Sequence, residues 1–417
     1  YDSYHAMPNT AMDRLRRLGV LIPVFSLHRD DDLGIGDTLA FKQAIDWAAA
    51  HKVGFLQLLP INETGSDNSP YNAISSVALD PVLIAMELIP GIDKAAIQTA
   101  DKKCEHSELV DYASAGAAKW KLLELGYQAF LKTDGSDPAF EKFREAEQDW
   151  LVPYTKYRWL MEQSGTEQWD HWPKEYNTPK KAEAWLAAQP EAEKNLTFYA
   201  WVQWHAFTQW RDLRNYAAEN NVKLMGDIPI GISYSSADVF FEPQWFDLTL
   251  SGGSPPETVF KDDAFACQWG QNWGIPLYNW EELEKHDFSW WRRRIEKLTD
   301  VFHIFRIDHI LGFYRIFSFP WRPGRNAEFL GLTDSQAEEL TGGPLPKFHP
   351  YDDDTEAHKK ANLAAGDKYL KVVLEAAGGS EVVGEDLGCV PDYVRPHLAK
   401  IGIAGFKICH WEAIGDS

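Results

Sequence analysis

Cysteine is nearly absent. Four residues, Cys104, Cys267, Cys389 and Cys409, are scattered through 417 positions. They form no C-x-x-C pair, which excludes a disulfide framework and a zinc-binding pattern. Free thiols in a reducing cytoplasm are the simplest expectation. No apolar run reaches the roughly 18 residues that mark a membrane-spanning helix, and no signal-peptide pattern is present. Positive charge is also in short supply, with 41 Lys and Arg against 62 Asp and Glu and a formal net charge of −21. That argues against nucleic acid and anionic membranes, which select basic patches. A Walker A sequence is missing. The acidic runs at 30–32 and 352–354 lack the ligand spacing of a calcium loop, so they are expected to be solvated and no metal or other cofactor is expected.

What is present is apolar and aromatic. Hydrophobic residues make up 45% of the chain, with 18 Trp, 16 Tyr and 22 Phe. Most of the aromatics are expected in the core, although indole faces also suit the C–H faces of sugars. Residues 20–25 (VLIPVF) and 54–61 (GFLQLLPI) read as buried strands. A helix over 39–52, with Asp37 as its N-cap, separates them. Strand, helix, strand at this spacing predicts a parallel pair. Gly34-Ile35-Gly36 is read as a turn, because Leu39 stands where a dinucleotide fingerprint needs its third glycine.

The polar segment 62–73 (NETGSDNSPYNA) is a loop at a strand's C-terminal end, the functional face of a parallel barrel. Residues 91–220 carry apolar residues at helical spacing and read as a helical insertion. Strands resume at 222–230, 301–310, 381–387 and 402–410. The Gly- and Pro-rich stretch 251–280 reads as a long binding loop or lid. His286-Asp287 reads as an N-cap for a helix over 289–300. The expected segments are thus 1–90 (two strands and a donor-site loop), 91–220 (insertion) and 221–417 (four strands with the lid).

The chemistry concentrates in 303–315, HIFRIDHILGFYR. On a strand of period two, Arg306 and Asp308 point the same way. An arginine there holds the carboxylate ionised and oriented, as a nucleophile requires; a structural ion pair is the plain alternative. Asp227 and Glu385 lie near the ends of neighbouring strands. Three carboxylates converging on one rim, without a histidine cluster, point to glycoside chemistry, with divalent-metal binding as the competing use.

Seven stretches in order, LGIGD (33–37), LQLLPI (56–61), NSPYN (68–72), GDIPI (226–230), GQNWGIPLYNW (270–280), FRIDHILGF (305–313) and GEDLG (384–388), resemble the 4-α-glucanotransferases of glycoside hydrolase family 77, in the α-amylase clan. The resemblance implies an α/β fold, a (β/α)8 TIM barrel interrupted by the helical insertion. It implies an enzyme that moves α-1,4-glucan segments to the 4-hydroxyl of an acceptor glucan or glucose with retention. By resemblance Asp308 is the nucleophile, Arg306 its partner, and Glu385 the general acid/base. Asp227 and Tyr71 bind the donor sugar, His309 contacts sugar hydroxyls, and Trp273 lies in the loop enclosing the glucan. Two departures stand out. The family's G-x-P-P-Asp-Tyr-Phe stretch reads GSPPETVF at 253–260. The clan's later His-Asp motif, which carries a third acid, has no counterpart. Strands seven and eight are likewise unaccounted for, so the natural chain is expected to continue for about 100 residues past Ser417. An amylase-like hydrolase and an inactive glucan-binding protein are the alternatives.

Overall fold

The computed structural model describes residues 17–104, 106–133, 135–257 and 262–409. Five short strands form one parallel sheet in the order β1 (Gly19–Leu21), β2 (Phe55–Gln57), β3 (Lys223–Ile228), β6 (Ile304–Ile307) and β9 (Glu381–Gly384). Each falls inside or beside an expected strand and is shorter than expected. The prolines explain part of this. Pro23 starts a tight turn over Val24–Ser26 and so ends β1 early, because its nitrogen has no hydrogen to give to a ladder. Pro60 and Pro229 stand in the same way beyond β2 and β3.

The register is level across the sheet. Asp227 pairs with Arg306 and Arg306 with Val383; Ile228 pairs with Ile307 and Ile307 with Gly384. The ladder runs one step further, with Asp308 N–H donating to Ile228 O at 2.8 Å and Glu385 N–H to Ile307 O at 2.9 Å. Asp308 and Glu385 are therefore neighbours at the same height. Gly226 is needed for this packing: a Cβ there would lie 2.2 Å from the Phe302 ring.

Helix α1 (Thr38–Ala50) has Asp37 as N-cap, accepting from the Leu39 and Ala40 N–H groups. Six helices fill the expected insertion: α2 (Lys94–Asp101), α3 (Tyr112–Lys132), α4 (Pro138–Ala146), α5 (Gln148–Ser164), α6 (Pro179–Ala187) and α7 (Ala192–Glu219). Their large aromatics are mostly core. Trp201 and Trp210 of α7 are fully buried, as are Trp290 and Trp291 of the later helix Ser289–Thr299. Each such ring removes on the order of 150–250 Å² from water, so they supply much of the stabilisation. Among the described residues no helix is long and apolar enough to cross a membrane.

Several expectations fail. Residues 251–280 are not a lid loop. Strands β4 (Phe246–Ser254) and β5 (Gln271–Tyr278) pair antiparallel and join β7 (Ile316–Phe319) and β8 (Lys347–His349) in a second sheet, ordered β5-β4-β7-β8. The glycines that signal a loop serve close strand approach instead: a Cβ on Gly253 would stand 1.9 Å from Gln271 O. Residues 258–261, which include the last three positions of the GSPPETVF stretch, lie outside the described residues. This sheet has its own small core of Trp269, Phe317, Phe319, Trp321 and Phe329.

The expected strand 402–410 is a single parallel bridge, Val383 to Ala404, and its last residue, His410, lies outside the described residues. The Asp386 carboxylate takes the Phe406 N–H at 2.6 Å, which removes that donor from any ladder. His286-Asp287 does not cap its helix. The N-cap is Phe288, without a side-chain bond, and Asp287 turns left-handed with φ 53°. The acidic runs are only partly solvated. Asp32 is buried, accepting from the Gly34 and Arg29 N–H groups, because a short carboxylate satisfies a turn's own backbone. Asp353 is held by Arg315, Asn362 and Tyr393.

Candidate active site

Level register delivers Asp227, Arg306, Asp308 and Glu385 to one rim of the sheet. Arg306 stands between two acids. Its Nη1 spans both oxygens of Asp227 at 2.7 and 2.8 Å, and its Nη2 lies 2.7 Å from Asp308 Oδ1. Tyr71, from the loop after β2, donates its hydroxyl to Asp227 Oδ2 at 2.6 Å. The tyrosine thus pins its loop to the sheet, and its ring remains partly exposed. The Phe406 ring lies 5.5 Å from the Arg306 guanidinium.

Glu385 is held differently. Its Oε2 accepts from His309 N–H at 2.9 Å and its Oε1 from Leu387 N–H at 3.0 Å. His309 reaches this position only by adopting a left-handed backbone, φ 48°. Such a conformation is rare for a residue with a side chain and is kept where surroundings enforce it. The Trp273 ring packs edge-on against the His309 ring at 4.9 Å.

Burial dominates the electrostatics. It raises the Asp227 carboxyl to about 6, with Arg306 and Tyr71 opposing. Burial likewise lifts Asp308 above the usual aspartate value, and Arg306 pulls it back. Glu385 is raised by burial first and then by the charge of Asp308. The Tyr71 phenol is pushed far upward by burial and the Asp227 charge, so it stays a hydrogen-bond donor. Burial takes His309 down to about 4, leaving its ring neutral near pH 7.

Asp308, His309, Glu385 and Trp273 line one cleft of about 310 Å³. Asp227, Arg306 and Tyr71 are joined to Asp308 by the contacts above and stand on its β3 side. All seven sequence-predicted residues therefore belong to one connected set. The cleft also has walls to which the sequence assigned no role: Arg315, at the end of the 303–315 stretch, Phe348 and Cys389. Glu257 lines it too; its only sequence signal is that it replaces the aspartate of the family's G-x-P-P-Asp stretch.

A divalent cation bridging Asp227 and Asp308 would have to displace the arginine already between them. Elsewhere Asp32, Asp101 and His106 come close enough to share an ion. Asp32 and Asp101 already accept backbone N–H groups there, Asp101 from Leu33, and nothing else points to a metal.

The chain has relatives among known proteins. A 4-alpha-glucanotransferase of Chlamydia caviae is 33% identical over 399 residues, covering 94% of this chain and 68% of its own length. That of Chlamydia pneumoniae is 31% identical over 405 residues, covering 96% and 70%. An amylomaltase from Streptococcus agalactiae, solved in complex with acarbose, superimposes with a TM-score of 0.76 at 24% identity over 95% of this chain and 74% of that one. The fold is thus α/β and TIM-barrel-like, as expected. The family model for 4-alpha-glucanotransferase, glycoside hydrolase family 77, matches residues 22–417, and the chain belongs to that family.

Proposed function

We propose that this site transfers segments of α-1,4-glucans to the 4-hydroxyl of another glucan or glucose by double displacement. The carrying observation is the pair Asp308 and Glu385, level on adjacent strands and held in opposite ways. Asp308 is ion-paired to Arg306, which favours its charged form. Glu385 is buried beside that negative charge, which favours its protonated form. Burial raises both carboxyls, but among the described residues only Asp308 is ion-paired to an arginine, and on this reading the pair divides into nucleophile and acid.

Asp308 attacks the anomeric carbon while Glu385 protonates the leaving oxygen. The glycosidic bond breaks and a β-linked glucosyl ester forms on Asp308. Glu385, now a carboxylate, takes the proton from an acceptor 4-hydroxyl, which attacks and restores the α configuration. Asp227 and Tyr71 bind the donor unit, and Arg306 fixes the angle between Asp227 and Asp308. His309 and Trp273 lie against the glucan. On the same reading, segments 1–90 and 221–417 build the reaction face and 91–220 forms a helical buttress. A cytoplasmic location fits the free, exposed Cys389 and Cys409.

With maltotriose as sole substrate, the products should be glucose and a ladder of longer maltooligosaccharides. The number of reducing ends should stay constant, because each transfer conserves linkages. A steady rise in reducing ends would replace transfer with hydrolysis, and no products at all would favour a binding protein.

A further inference from the structure

Asp227 and Tyr71 stand on the β3 side of Asp308 and Glu385 on its β9 side, and the cleft that Asp308 and Glu385 share is also lined by Leu387, Cys389, Arg315 and Phe348. Arg315 is the only cation among the described residues lining that space. Its side chain is 13% exposed, and its Nε lies 3.0 Å from Asp353 Oδ2. The guanidinium carbon sits 3.7 Å from the centre of the Phe348 ring. Asp353 is itself fixed by Asn362 Nδ2 at 3.0 Å and the Tyr393 hydroxyl at 3.1 Å. Four separate segments, around residues 315, 348, 353–362 and 393, therefore hold one guanidinium in place.

A purely structural arginine so deeply placed would be expected to spend its donors on the protein. Arg315 does not: among the described residues, Nη1 and Nη2 make no hydrogen bond. A guanidinium has five N–H donors in a rigid plane, and four of them belong to these two nitrogens. They belong to the same cleft as Asp308 and Glu385, where polar hydroxyls of a sugar would satisfy them. Stacking on Phe348 fixes the plane, so little conformational freedom is lost when they bind.

We propose that Arg315 is an acceptor-recognition residue, donating from Nη1 and Nη2 to hydroxyls of the glucose unit next to the reacting bond, a position held first by the leaving end and then by the incoming acceptor. This rests on the carboxylate roles proposed above. A general acid must stand on the leaving-group side of the broken bond, and Glu385 lines the same cleft as Arg315.

The test uses the full chain with Arg315→Met, which keeps the stem and removes the donors, and Arg315→Lys, which keeps the charge. Transfer from maltotriose to labelled glucose is measured against glucose concentration. The single-turnover burst of fluoride from α-glucosyl fluoride, which reports ester formation on Asp308 before any acceptor is needed, is measured alongside, since that leaving group is too small to reach Arg315. Arg315→Met should raise the half-saturating glucose concentration by about tenfold or more, the loss expected for hydrogen bonds from a charged donor. Fluoride release should be unchanged, and Arg315→Lys should fall between. An unchanged glucose dependence overturns the proposal. So does an equal loss of fluoride release in both variants, which would make Arg315 a support for the fold. Should Arg315→Met not fold, Arg315→Lys alone decides: weakened glucose dependence with normal fluoride release supports the assignment, and any other pattern removes it. The underlying carboxylate reading fails separately, if wild-type protein releases no fluoride or if Asp308→Asn releases it as fast.

Discussion

Arg306 sits between two carboxylates, and its position sets how each of them behaves. Asp308 can be a charged neighbour of Glu385 only because Arg306 offsets its burial. Removing that charge in Asp308→Asn should lower the Glu385 pKa toward the ordinary glutamate value. Carbon-detected NMR titration of both proteins checks this; an unshifted Glu385 would mean that burial alone holds it up. In the wild type the general acid must be protonated, so transfer should decline as pH rises through the Glu385 pKa. Asp227 supplies a stability counterpart. It titrates near 6 in the fold against a reference of 3.8, so the native state binds more protons in between. Its contribution to stability should therefore fall as pH rises from about 4 to 6, since the raised acid favours the protonated fold. Denaturant unfolding across that window should show a shallower slope in Asp227→Asn than in wild type, the remainder belonging to the other raised acids such as Asp308 and Glu385. The Tyr71 hydroxyl is the third lever. Tyr71→Phe leaves one Asp227 oxygen short of a donor and should reduce donor kcat/KM by about five- to tenfold, the usual worth of such a bond.

At the scale of elements, the site depends on strands being close enough for level register. Gly226 on β3 faces the Phe302 ring with no room for a methyl group. Gly226→Ala should cost about 1–3 kcal/mol through overpacking and lower the melting temperature. Gly324, which has nothing within 4 Å of its would-be Cβ, provides the control: Gly324→Ala should be neutral. Thermal unfolding of the two variants separates packing from a general dislike of alanine. The same paired geometry explains why the five expected strands of the parallel sheet were drawn too long, and why the one expected at 402–410 is only a bridge. Periodicity reports which residues face a core, and the parallel ladder stops wherever proline or a side-chain acceptor takes over the hydrogen bonding.

At the scale of the whole molecule, two cores serve one cleft. The large core supports the parallel sheet and its three acids. The small core supports the antiparallel sheet that carries Trp273 and Phe348 to the opposite wall. Phe329 is fully buried in the small core and stacks on Trp321 with ring centres 3.6 Å apart. Phe329→Ala should cost roughly 3–5 kcal/mol locally. Because the cores are separate, hydrogen exchange should quicken in β4, β5, β7 and β8 while β3, β6 and β9 keep their protection. Uniform loss of protection would show the two cores to be one cooperative unit.

The five parallel strands and the helical middle segment were legible in the sequence from local periodicity, Asp227, Arg306, Asp308 and Glu385 were nominated by their places on strands, and Tyr71, His309 and Trp273 only by motifs shared with a family. Arg306 and Asp308 share a face by strand geometry alone. Tertiary structure decided the rest. Whether 251–280 was a lid or a hairpin depended on partners in β7 and β8, more than 30 positions away. That Arg306 serves Asp227 as well as Asp308 depended on strand register. Arg315, beside the 305–313 motif, meets Phe348 and Asp353 only because segments more than 30 positions further along fold back onto it. Local pattern records which face a side chain takes; the neighbours that give it a function are chosen by long-range packing, which leaves no periodic trace in the sequence.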